Sequence, residues 1–100
     1  MKKQLTALAA ALVFLAPAHA RAAAAETFRA RCASCHGKDG KGKTKMGERF
    51  SVPNLTAIEA PASAIEKTIA NGKGKMMPYK DKLDPDEIQD LAAYIKDGLK

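Results

Sequence analysis

There is no tryptophan in these 100 residues, and only three phenylalanines and two tyrosines. A surface that binds nucleic acid by interleaving aromatic and basic residues is therefore excluded, and an aromatic-rich core is too. Histidine is just as scarce, with His19 and His36 the only two. Cysteine is confined to Cys32 and Cys35. No stretch sustains the period-two alternation of β-branched residues that marks a strand, which leaves an all-α reading. Acid is in deficit, with 11 acidic against 17 basic residues and a formal charge of +6.

The chain has one long apolar run, at its start. Lys2 and Lys3 precede an uncharged stretch from Gln4 to Ala20, and Ala18-His19-Ala20 supplies small residues at the positions a signal peptidase reads. That order is the order of an export signal. A membrane span needs about 20 apolar residues, and this run is shorter and broken by Pro17. The expectation is a cleaved signal at 1–20 and one domain at 21–100, delivered to a bacterial periplasm without stable membrane insertion. Without Lys2 and Lys3 the formal charge falls to +4. So small a domain rarely gains stability from its side chains alone. Some other group should fill its core.

Three helices are expected. The first spans 22–36, with Ala24, Phe28 and Cys32 on one face. The second spans 61–70, with Pro61 in its first turn and Ile65 and Ile69 one turn apart. The third starts after Asp84, with Pro85 at the first position and Glu87 completing a capping box. Its apolar stripe is Ile88, Leu91, Ala92, Ile95 and Leu99. The glycine- and lysine-rich stretches at 38–50 and 73–83 read as loops.

The stretch "CASCHG" holds both cysteines and His36. Four chemistries compete for it. A redox disulfide belongs at the start of a helix that follows a strand, and no strand precedes it. Tetrahedral zinc wants four ligands. Here there are three, and the adjacent pair Cys35-His36 diverges by about 100° on a helix. A cysteine nucleophile lacks a separate histidine base. Covalent haem uses every residue of the motif: Cys32 and Cys35 bond the porphyrin, and His36 projects towards the iron. The sequence thus points to one covalent haem c.

A second axial ligand must then come from methionine, because the expected mature chain has no other histidine. Met46 lies in a lysine-rich loop close behind His36 and reads as filler or surface. Met76 and Met77 are far enough along the chain to reach the opposite side of the haem. Pro78 stiffens the backbone after Met77, which favours Met77, with Met76 as the alternative.

With these motifs in place, the chain resembles the class I cytochromes c, of the small bacterial monohaem kind. "FRARCASCHG" is similar to that family's first helix, "PNL" to its histidine-side loop, "GKMMPYKDKL" to its methionine loop and "LDPDEIQDLAAYIK" to its closing helix. The resemblance implies a helical fold around one haem. It also implies axial ligands His36 and Met77, and a Pro53 carbonyl that accepts from the His36 ring. Phe28 and Tyr94 are the implied aromatic pair where the first and last helices cross.

The expected activity is one-electron transfer, with no catalytic residue and no enzymatic reaction. Lys38, Lys41, Lys43 and Lys45 follow His36, and Lys73, Lys75, Lys80 and Lys82 flank Met77. Two such runs bordering one haem edge would steer acidic redox partner proteins. Export argues against nucleic acid as the partner. The rivals are a haem protein that leaves its sixth iron position open to bind or reduce a small molecule, and a haem-free thiol module.

Overall fold

The computed structural model describes residues 18–100, and every regular element among them is helical. The expected signal at 1–20 lies largely outside the described residues. Its last three residues lie within the first helix.

That helix, α1, runs over Ala18–Arg31. It already covers residues before the expected Ala22, where alanine, the best helix former, recurs. It also stops before the expected His36. Cys32 (φ −115°, ψ −28°) breaks the regular path, and a separate turn, α2, covers Ala33–His36. The axis continues across the break, since Cys32 N–H donates to the Phe28 carbonyl (2.8 Å) and His36 N–H to the Cys32 carbonyl (2.9 Å). Gly37, at φ 81°, turns the chain out of α2.

A short helix, α3, covers Lys45–Arg49 within a stretch whose glycines and lysines favour a loop. Its cap is Thr44, whose Oγ1 accepts from Gly47 N–H (2.8 Å) and donates to the Cys35 carbonyl (2.8 Å). A 3-10 turn at Leu55–Ala57 follows, capped by the Asn54 side chain. Helix α4 covers Ala62–Asn71, with Pro61 just outside it as N-cap rather than within its first turn.

Helix α5 covers Pro85–Lys96 and has the expected capping box, Asp84 Oδ1 accepting from Glu87 N–H and Glu87 Oε1 from Asp84 N–H. It does not reach Leu99. Gly98 (φ 84°) donates to the Ile95 carbonyl and Leu99 N–H to the Tyr94 carbonyl, a Schellman ending. Leu99 still reaches the core, but by folding back over Gly40 rather than by staying on the helix stripe.

The core sits where α5 packs on α1 and α4. Phe28 and Ala92 are completely buried, and Leu91 nearly so. Phe28 and Tyr94 meet edge to face, with centroids 6.0 Å apart. Ile65 and Ile69 from α4 and Leu55 and Leu83 from the connecting segments complete the cluster. This packing fixes α1, and so fixes where the Cys32–His36 turn emerges.

Candidate haem site

The motif residues project from one turn of backbone. Cys32 and Cys35 are free thiols, both half-buried. Burial pushes the Cys32 thiol up to about 11, against the pull of Arg31, so it stays protonated at neutral pH. A thiolate poised for disulfide exchange needs the opposite environment. Among the described residues no group of three or more His, Cys, Asp or Glu side chains converges as a metal cage.

His36 lies against the core, its ring centroid 6.5 Å from that of Phe28. Burial holds its imidazole below the ordinary value, which favours the neutral ring. Its Nδ1 is buried with no hydrogen-bond partner. Such an atom is rare in a folded protein and costs roughly 1–3 kcal/mol while unpaired.

The loop after the motif is packed by backbone. Gly42 N–H donates to the His36 carbonyl (2.7 Å). A Cβ on Gly42 would lie 2.8 Å from the Val52 side chain and 3.6 Å from the Pro53 carbonyl, so the Val52-Pro53 segment closes against the stretch that caps His36. Pro53 is thus a neighbour of the loop bonded to His36, although its carbonyl takes no bond from the ring. Gly47 is buried, and a Cβ there would collide with the Gly42 and Cys35 carbonyls.

The methionine loop folds onto α4. Lys73 and Met76 exchange backbone bonds (3.0 and 2.9 Å). Tyr79 N–H then donates to the Ile69 carbonyl (2.9 Å) and Lys80 N–H to the Ala70 carbonyl (3.1 Å). Met76 packs against the core cluster, whereas Met77 leaves 53% of its surface exposed. Met46 is also exposed, on α3. The Tyr79 hydroxyl donates to the Arg31 carbonyl (3.1 Å), joining this loop to the residue before Cys32. Burial lifts the Tyr79 phenol above its ordinary value, so it remains a donor. Neither Tyr79 nor Thr44 stood out in the sequence, because both act through carbonyls that the sequence does not place.

Residues 19–95 match the family described as cytochrome c oxidase, cbb3-type, subunit III. The chain belongs to this family of class I c-type cytochrome domains. The domain is 36% identical over 72 residues to the FixP subunit of a cbb3-type oxidase from Azorhizobium caulinodans, covering 71% of this chain but 25% of FixP. It is 37% identical to a cytochrome c6-like protein from Nostoc sp., covering 70% of this chain and 63% of that one. Against cytochrome c6 of Leptolyngbya boryana the identity is 36%, over 76% of this chain and 89% of that protein. The solved KustC0563 c-type cytochrome superposes with a TM-score of 0.69 at 28% identity, over 77% of this chain and 98% of that chain. The c-type cytochrome domain thus spans less than two thirds of the FixP and cytochrome c6-like relatives.

A c-type cytochrome domain implies covalently bound haem c, and the residues present fit it. Two unpaired thiols share a turn with a neutral imidazole, and a thioether stays exposed on a loop tied to that turn. The buried Nδ1 fits a ring whose other nitrogen serves iron while this one awaits an acceptor. The nearby cavity of about 390 Å³ between α4 and the start of α5 includes none of these residues in its lining.

Proposed function

We propose that this domain is a periplasmic one-electron carrier with a single haem c, and not an enzyme. When bound, the haem supplies the one-electron iron couple. Cys32 and Cys35 would hold it through thioethers, and His36 and Met77 would supply the protein ligands to the iron. The observation that carries this reading is the difference between the two methionines. Met76 is committed to the core and to its backbone pairing with Lys73, whereas Met77 stays exposed on a loop pinned on both sides. With the half-buried His36 imidazole and a thioether both ligating it, the iron would keep no open position for a substrate, and a methionine ligand favours a high potential.

The leading basic residues support the choice of partner. Lys38, Lys41, Lys43, Lys45, Lys73, Lys75, Lys80 and Lys82 are all exposed. They stand on the loops that leave His36 and flank Met77, so acidic redox proteins would be steered to that side. Export to the periplasm rests on the leader pattern. Among the described residues no helix is long and apolar enough to cross a membrane.

An absorption spectrum of the exported protein, oxidised and reduced, tests the reading. Haem colour should stay with the denatured chain. A far-red sulfur-to-iron band should mark the ferric protein, vanish in Met77→Ala and persist in Met76→Ala. Ready binding of carbon monoxide by the ferrous wild type would overturn the carrier. Electron transfer to an acidic partner should slow as salt rises.

A further inference from the structure

The break between α1 and α2 has a chemical consequence. In an unbroken helix the Arg31 carbonyl would accept from Cys35 N–H. Here Cys35 N–H turns to the Cys32 carbonyl (3.3 Å), and the Arg31 carbonyl accepts from the Tyr79 hydroxyl across 48 residues of sequence. We propose that Tyr79 is a positioning residue for the Met77 sulfur, latching the methionine loop to the turn that carries Cys32, Cys35 and His36. This rests on the reading of Met77 as an axial ligand.

The other ties of the loop do different work. The Tyr79 and Lys80 backbone bonds attach it to α4, and the Lys73–Met76 pairing closes its hairpin. Lys75 Nζ lies 6.0 Å from the centre of the Phe50 ring, which links the hairpin to the segment after α3. None of these reaches the Cys32–His36 turn. The Tyr79 side chain reaches the residue just before it, at the Arg31 carbonyl, from a position two residues past Met77, with only Pro78 between. Pro78 has no N–H and a fixed φ, so a displacement at Tyr79 passes to Met77 with little slack. Loss of the hydroxyl leaves the ring in place and the loop folded on α4, but frees Met77 to swing off the iron.

The test is displacement of the methionine by imidazole in ferric holoprotein, followed by loss of the far-red band. Tyr79→Phe should bind imidazole about fivefold more tightly than wild type, the size expected from losing one hydrogen bond. Ile65→Val loosens the same side of the core without touching the latch, because Ile65 is buried on α4 one turn away from the Tyr79 attachment. It should lower thermal stability and leave imidazole affinity unchanged. A Tyr79→Phe affinity within about twofold of wild type overturns the latch. So does an Ile65→Val shift as large as that of Tyr79→Phe, since the effect would then be general loosening. If the wild type has no far-red band, the axial assignment fails and the latch fails with it. If the band is present and lost in Met77→Ala while Tyr79→Phe is unchanged, the latch alone fails.

Discussion

The two halves of this domain are held in different ways. The α1–α5 crossing is dry and side-chain driven, with Phe28 and Ala92 fully buried and Tyr94 against Phe28. The loops at 37–54 and 72–80 supply none of the buried hydrophobic core residues, although Met76 and Tyr79 pack against them. They are held by glycine turns, by caps such as Thr44 and Asn54, and by backbone bonds such as Gly42 to His36. The loop half carries a Met77 that lacks cover. The contrast places rigidity behind the haem motif and leaves the finish of the site to the group it binds.

The strongest way to break this contrast is Phe28→Ala. It should cost about 3–5 kcal/mol in denaturant unfolding of the holoprotein, and a loss below about 1 kcal/mol would mean the crossing is not the rigid half. Gly47→Ala attacks the loop half. Its Cβ would meet two backbone carbonyls, so a cost of about 1–3 kcal/mol is expected by the same measurement. Gly74→Ala sharpens the point, because nothing lies near its Cβ. It should lose only the penalty of its left-handed backbone, about 1 kcal/mol. Asp84→Ala removes the α5 cap and should also cost about 1 kcal/mol, returning in Asp84→Asn. The smallest effect should come from Lys75→Gln, about 0.5 kcal/mol from the contact with Phe50.

The elements legible in the sequence were those whose signals are local. The Asp84–Glu87 box, the Ile65–Ile69 spacing and the "CASCH" turn each lie within a few residues, and each appears in the structure. The crossing of Phe28 with Tyr94 came from family resemblance, and the rings do meet. Helix α3 was missed because five residues carry no periodicity, and its cap depends on a distant carbonyl of Cys35. Leu99 fits the α5 stripe by spacing alone, but Gly98 in the left-handed region ends the helix first. The tie from Tyr79 to Arg31 was invisible for the same reason as α3: a broken helix had to supply the acceptor.

The crossing of α1 and α5 also sets an order of events. Phe28 and Tyr94 flank nearly every residue of the site in sequence, so both site loops lie inside the stretch of chain that their contact closes. That contact must wait until α5 has been made, and a long closure forms more slowly than local helices do. Until then Cys32 and Cys35 are not yet shielded by the fold that later half-buries them. Access to the two thiols and completion of the core are therefore successive, with the docking of α5 marking the end of the interval in which they are open.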